Sequence, residues 1–246
     1  QTPVNRVLPK WNEWMERWPT PKDLAKATPA QVITAWGRLG YPRRALRLHA
    51  AAQIIAEDFN NTVPEDQETL QLLPGIGEYT AAAIAAFAFE QRSLVMDVNI
   101  RRLLVRAIDG EEHPKPTPTA KEKARRLAIL PDKNAHVWAA ATMELGALVC
   151  TSKNPACELC PIISQCQWRK NGYPKTDLVR KSQDWHGTDR KCRGTIVQAL
   201  RDNESLTESA IKKLWPDESQ VEKALKTLAD DLLIQRLPRN RYRLPQ

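Results

Sequence analysis

Leu73-Pro74-Gly75-Ile76-Gly77-Glu78-Tyr79-Thr80 is the stretch on which the fold turns. The segments on either side, residues 65–73 and 78–89, are apolar at helical spacing, and each predicts a helix. A tight turn must then join them. Two glycines two positions apart permit backbone conformations closed to residues with a Cβ. They also expose successive N–H groups beside a helix N-terminus, an arrangement that suits one phosphate and reads no base. An isolated Gly-x-Gly is equally found as a plain turn between helices. The full Leu-Pro-Gly-Ile-Gly string, with a helix on both sides, favours the anion-binding reading.

Working outward, further helices are predicted at residues 7–18, 21–27, 29–39, 44–59, 98–107, 119–130 and 133–148. Pro21 and Pro29 stand at favoured helix-start positions, and Ala45, Leu48, Ala51, Ala52 and Ile55 share one face. Nothing before residue 230 alternates as a strand should, so short helices joined by short turns imply an all-α bundle. After Cys166 the composition shifts. Residues 169–189 are polar, contain Gly172, Pro174 and Gly187, and read as a linker. Helices are then expected at 193–201, 205–214 and 218–231. Segments 233–237 and 241–244 flank a turn at Pro238-Arg239-Asn240, completing a winged-helix pattern. The expected domains are a helical bundle (1–108), a cysteine-bearing domain (109–175), a linker (176–189) and a winged-helix-like C-terminal domain (190–246).

Composition narrows the function. The 246 residues are 42% hydrophobic and 27% charged, with a mean hydropathy of −0.52, enough for a core and unlike a disordered chain. The longest apolar run, at residues 80–89, is too short to span a bilayer as a helix, and no signal-like segment opens the chain. Lys and Arg number 37 against 29 acids, giving +8 and a pI near 9.3, a surplus that suits a polyanionic partner.

Two further segments carry chemistry. Asp97, in Val95-Met96-Asp97-Val98-Asn99-Ile100-Arg101-Arg102-Leu103, precedes a predicted helix and reads as an N-cap. Cys150, Cys157, Cys160 and Cys166 crowd four of the five cysteines into one short segment. A disulfide scaffold would spread them, so a metal or cluster site in a reducing compartment is the better reading. Generic rules leave tetrahedral zinc and a [4Fe–4S] cluster about even. Cys192 falls outside the spacing and reads as an ordinary helix residue.

The turn, the Asp97 segment and the cysteines, in that order over residues 1–170, resemble the helix-hairpin-helix DNA glycosylases of the endonuclease III superfamily. The chain is most similar to the adenine-specific mismatch glycosylases (MutY type), and among them to actinobacterial members with a winged-helix-like C-terminus. The resemblance implies a helix-hairpin-helix bundle and a structural [4Fe–4S] cluster that orders a basic loop, where Lys153, Arg169 and Lys170 can meet phosphates. It implies hydrolysis of adenine's N-glycosidic bond opposite guanine or 8-oxoguanine in double-stranded DNA, by a cytoplasmic, nucleoid-associated monomer with no membrane partner. Asp97 then stabilises the sugar cation of an extruded nucleotide, with Asn99 and Tyr79 assisting. Bifunctional relatives carry a lysine at the position of Tyr79, so a monofunctional enzyme is expected. Gln1, Thr2 and Tyr41 are assigned to the opened duplex, Pro74, Gly75, Ile76 and Gly77 to a phosphate, and Glu144 to the base pocket.

Departures accompany the likeness. Gln1-Thr2-Pro3-Val4 matches the end of the family's Gln-Gln-Thr segment, and Leu39-Gly40-Tyr41 matches its Leu-Gly-Tyr-Tyr with Pro42 in place of the second tyrosine. The family's general-acid glutamate belongs just upstream of Gln1, so little adenine excision is expected of the polypeptide as given. The tail is too short for the Nudix-like domain of many relatives, and Lys212, Lys213, Arg236, Arg239, Arg241 and Arg243 read equally as phosphate contacts or a solvated surface. The same scaffold also supports thymine or uracil mismatch glycosylases, and a non-catalytic lesion-binding protein is the alternative from another class.

Overall fold

The computed structural model describes residues 2–176 and 187–246. The contacts gather the chain into two units that cut across the linear boundaries drawn from sequence: Gln1–Pro64, Leu73–Gly75 and Lys181–Gln246 form one, Glu65–Leu72 and Ile76–Arg180 the other.

The first unit opens with α1 (Val4–Arg17), α2 (Pro21–Ala25), α3 (Pro29–Trp36) and α4 (Arg43–Asp58). Thr20 and Thr28 cap α2 and α3, each with proline at the first turn, and Thr28 with Gln31 forms a reciprocal capping box. Alanines 45, 51 and 52 line the buried side of α4, so α2 and α3 approach closely. Trp14 stacks edge-on against Trp18 and Trp36, with ring centroids 5.0 and 5.8 Å away, beside the core residues Leu24, Ala27, Val32, Ala45 and Ala52.

The C-terminal part of this unit runs α11 (Asp189–Asp202), β1 (Leu206–Thr207), α12 (Glu208–Lys212), α13 (Glu218–Asp230), β2 (Gln235–Leu237) and β3 (Arg241–Arg243). The strands form an antiparallel sheet in the order β1-β3-β2, in which Tyr242 pairs with Leu206 on one side and Arg236 on the other. Three residues, Pro238, Arg239 and Asn240, join β2 to β3, and Arg239 and Asn240, at φ 58° and 51°, supply the left-handed backbone that reverses the chain. The winged-helix expectation gains one correction: Leu206–Thr207 is a strand, and α12 begins only at Glu208. A two-residue strand shows no alternation to read. Ile33 of α3 lies within the same buried cluster as Ile196, Leu200, Leu225 and Leu228, so this fold shares its core with the N-terminal helices.

The second unit contains α5 (Gln67–Leu72), α6 (Glu78–Phe89), α7 (Val98–Leu104), α8 (Ala120–Ile129), α9 (Ala135–Leu148) and α10 (Gln167–Lys170). Alanines 81, 82, 85 and 86 on α6 are buried, and small residues there let neighbouring helices pack closely. Beyond Leu104, α7 widens into a π-helical turn, Val105–Asp109, which buries Arg106 and stops at Gly110, φ 75°. Residues 177–186 of the expected linker lie outside the described residues, and Thr188 already caps α11. Among the described residues no helix is long and apolar enough to cross a membrane.

Candidate active site and nucleic-acid interface

The turn after α5 takes the expected form, with the two glycines playing different parts. Gly75 sits at φ 82°, and a Cβ there would come within 2.8 Å of the Arg47 Cβ, so glycine is required twice over. Gly77 has φ −91° and open space around it; it serves as the N-cap of α6 with no side chain to fill the cap. This corrects the expectation that both glycines supply conformations closed to other residues. Among the described residues the N–H groups of Gly75, Ile76 and Gly77 find no hydrogen-bond partner, and both glycines are exposed. Glu78, which would repel an anion at this helix start, is tied by both oxygens to Lys123 Nζ at 2.6 Å.

Asp97 caps α7: its Oδ1 accepts the Asn99 N–H at 2.6 Å, and the residue is only 6% exposed. Tyr79, on the first turn of α6, faces it electrostatically. Burial raises the Tyr79 phenol above its ordinary range and the Asp97 charge raises it further, so Tyr79 stays protonated in this setting. Asn99 is fixed in turn by Arg102, whose Nη2 donates to Asn99 Oδ1 at 2.8 Å and to Gly146 O, and whose Nε donates to Cys150 O at 2.7 Å. Gly146 makes this possible: a Cβ on it would lie 2.5 Å from Asn99 O. Asp97, Asn99 and Tyr79 are thus brought together. Arg102 and Gly146 were not singled out from sequence, although a glycine inside a helical pattern signals a close approach. Glu144 is exposed on α9 with no hydrogen bond or ion pair to any of the three.

The four cysteines Cys150, Cys157, Cys160 and Cys166 line one pocket, whose other walls include Leu103, Val149, Ile162 and Trp168. Burial raises the Cys157 and Cys160 thiols, and the neighbouring sulfurs add to it. Arg106, 1% exposed, is a buried cation beside them: Nη1 lies 3.4 Å from Cys150 Sγ and 2.8 Å from Thr151 O, and its guanidinium stacks 4.5 Å over Trp168. Among the described residues no group of three or more His, Cys, Asp or Glu is gathered to hold a single ion. Four thiols that share one apolar pocket, with buried arginines beside them, yet are not gathered around one point fit a multi-iron cluster better than one zinc, whose sulfurs must all lie about 2.3 Å from the metal. Lys153, Arg169 and Lys170 are exposed beside this segment, and Cys192 is buried in the other unit's core, as its spacing implied.

Tyr41 is 60% exposed with φ 48°. Thr2 is half-buried ahead of α1, and Gln1 lies outside the described residues. In the tail, Lys212 is ion-paired to Glu208, Glu218 and Glu222, and Arg241 donates to Ser205, whereas Lys213, Arg236 and Arg239 stay exposed.

Comparison with known proteins agrees with this geometry. Residues 1–128 match the HhH-GPD superfamily base excision DNA repair protein profile. The chain is 44% identical over 248 residues to the adenine DNA glycosylase of Mycolicibacterium smegmatis, spanning 99% of this chain and 83% of that protein. It is 45% identical over 249 residues to the enzyme of that name from Mycobacterium tuberculosis H37Rv, covering 100% and 82%. The human adenine DNA glycosylase is 41% identical over 174 residues, 69% of this chain and 32% of that one. Among solved structures, a thermostable thymine-DNA glycosylase aligns with a TM-score of 0.61 at 21% identity, covering 69% of this chain and 79% of its own. A non-covalent endonuclease III–DNA complex gives 0.61 and 21%, covering 71% and 81%. At that identity the structures speak for the fold alone. On its helical profile and its near-full-length relatives, the chain belongs to the HhH-GPD superfamily of base excision DNA repair proteins and, within it, to the adenine DNA glycosylases.

Proposed function

We propose that the chain hydrolyses the N-glycosidic bond of adenine mispaired with guanine or 8-oxoguanine in duplex DNA, leaving an abasic site and an uncut strand. The observation that carries this reading is the Asp97 carboxylate, buried at the start of α7 with Tyr79 facing it and Asn99 holding one oxygen. Cleavage of a glycosidic bond builds positive charge on the sugar, and a fixed carboxylate in a shielded site stabilises that charge strongly. The Asn99 N–H engages Oδ1, so Oδ2, which accepts no hydrogen bond among the described residues, is left to face the sugar. Arg102 keeps the Asn99 side chain in place through its Oδ1. Tyr79 stands where strand cleavage would require an amine, and a neutral phenol forms no Schiff base.

DNA is held on one phosphate by the backbone N–H groups of Gly75, Ile76, Gly77 and the start of α6, with Pro74 fixing the entry to the turn. Tyr41, with Gln1 and Thr2, opens the base stack so that the adenine leaves it, as any chemistry on a base in a duplex requires. The cofactor is a [4Fe–4S] cluster held by Cys150, Cys157, Cys160 and Cys166, and its part is structural: it orders the segment that presents Lys153, Arg169 and Lys170. The relatives' names and their near-complete coverage support adenine as the base.

The test uses a duplex carrying a cationic azasugar opposite guanine, which mimics the charged sugar and needs no proton transfer. Asp97→Asn is expected to weaken its binding at least about tenfold, because transition-state mimics draw on charge complementarity, while affinity for undamaged duplex stays unchanged. Equal affinity of both proteins for the azasugar duplex overturns the reading. Comparing base release from A:8-oxoguanine, T:G and U:G duplexes identifies the base.

A further inference from the structure

The loop between α3 and α4 carries the exposed Tyr41 in a demanding backbone, with Gly37, Gly40 and Tyr41 at φ 56°, 85° and 48°. Some of its support is local: the Trp36 Nε1 donates to Gly40 O at 2.8 Å, and Arg6 Nη2 donates to Arg38 O at 2.6 Å. The rest comes from the winged-helix segment. The Arg190 guanidinium, at the start of α11, stacks 4.2 Å over the Tyr41 ring. Arg43 Nη1 is ion-paired to Asp231 at 3.2 Å, just beyond α13, and Arg193 of α11 holds the same carboxylate from the other side. Arg38 Nε reaches Gln198 Oε1 of α11 at 3.5 Å. Two points of this short loop, Arg38 and Tyr41, and Arg43 at the start of α4 are therefore gripped from the ends and flank of two helices of the C-terminal fold.

The surface of that fold fits this task better than the reading of DNA by its own third helix. Residues 217–231 contain Asp217, Glu218, Glu222, Asp230 and Asp231 against Lys223 and Lys226, and Lys223 is ion-paired to Asp189. An acidic helix is repelled by phosphates. The same unit places its cation on Tyr41 instead, with the ring covered on one face while 60% of the residue remains exposed.

We infer that the winged-helix segment is a brace for the duplex-opening loop, and that Arg190 is a positioning residue that holds the Tyr41 ring by its face so that its bare edge enters the base stack. The inference rests on the proposed reading of Tyr41 as the residue that opens the duplex. A planar guanidinium is suited to this because it stacks on an aromatic face while staying solvated at its rim, which an ammonium does less well.

The experiment follows stack opening directly, without excision. A duplex with 2-aminopurine beside an A:G mismatch brightens when the stack opens, and its affinity is compared with that of a fully paired duplex. Arg190→Gln is expected to reduce the brightening and to lower the mismatch-to-paired affinity ratio by about fivefold, the scale of one solvent-exposed cation–ring contact, with the melting temperature unchanged. Arg190→Lys is expected to restore part of both. If Arg190→Gln leaves the ratio within about twofold of wild type but flattens the salt dependence by about one phosphate contact, Arg190 meets DNA itself and the brace is refuted. An unchanged ratio and an unchanged salt slope refute it equally. Tyr41→Ala separates the two levels: if it leaves the brightening intact, the reading of Tyr41 is wrong and the brace falls with it. If Tyr41→Ala abolishes brightening and Arg190→Gln does not, only the brace is lost.

Discussion

Gly146→Ala is the sharpest perturbation available at the candidate active site, because it adds one methyl group where α9 crosses α7. The new Cβ would lie 2.5 Å from Asn99 O, 2.8 Å from Asn99 C and 2.9 Å from Asn99 Cβ, close to an ångström inside ordinary van der Waals distance. The atoms it meets are mainly backbone, so no side chain can swing away and the helices must separate. Overpacking of this kind costs about 1–3 kcal/mol, offset by roughly 1 kcal/mol from the better helix propensity of alanine. The net loss, between about 0 and 2 kcal/mol, corresponds to a melting temperature lowered by up to roughly 8 °C in a chain of this size. The functional loss should exceed the stability loss. The displaced Asn99 backbone holds Asp97 Oδ1, and Arg102 bonds both Asn99 and the Gly146 carbonyl, so the carboxylate moves with the helix. A misplacement near 1 Å costs about a hundredfold in a positioned reaction. Thermal melts report the first effect, and affinity for the cationic azasugar duplex reports the second. A Gly146→Ala protein as stable as wild type, with undiminished azasugar affinity, would show that the two helices are not locked at this crossing and would refute the argument.

The remaining predictions concern the turn, the cysteines and pH. Gly77→Ala should leave the melting temperature unchanged yet weaken DNA binding by crowding the amides, whereas Gly75→Ala should also destabilise the fold, since it strains φ and strikes Arg47. Protein that carries the cluster should be brown, and Cys157→Ser should bleach its visible absorbance; undiminished colour in the variant would remove Cys157 from the ligand set. Glu122 is pushed up by burial but pulled lower still by its hydrogen bonds and charge contact with Arg101, leaving its carboxyl below the usual range. A lowered folded value means that the stability it adds is whole above the unfolded glutamate value, about 4.3, and is lost as pH falls through the folded one. Melting temperatures followed down through that range should therefore fall more steeply in wild type than in Glu122→Gln.

The sequence disclosed what depends on local chemistry. Residues 78–89 were readable as a helix to the residue because Gly77 and the turn before it punctuate the start and the apolar pattern ends at Phe89. The four cysteines crowded in one segment line one pocket, and Asp97 before an apolar run foretold its cap. What stayed hidden depends on partners distant in sequence. Arg102 looks like any arginine beside Arg101 until α9 delivers the Gly146 and Cys150 carbonyls to it. Arg106 is buried only because the π-helical turn directs it inward. The grouping of residues 1–64 with 181–246 has no local signature at all, since it rests on Ile33 entering a core built from the other end of the chain.

The vacant cap of α6 has one more consequence. Most helices here are closed at their start by a threonine or aspartate side chain, as in α2, α3, α8, α11 and α13, but Gly77 leaves the first amides of α6 to the solvent. A nucleic-acid oxygen arriving at the turn would take the place of the missing side chain and finish the helix from outside. Amide protons at Glu78, Tyr79 and Thr80 should then exchange more slowly in the complex than in the free protein, and the phenol opposite Asp97 would be steadied only once the duplex has been seized.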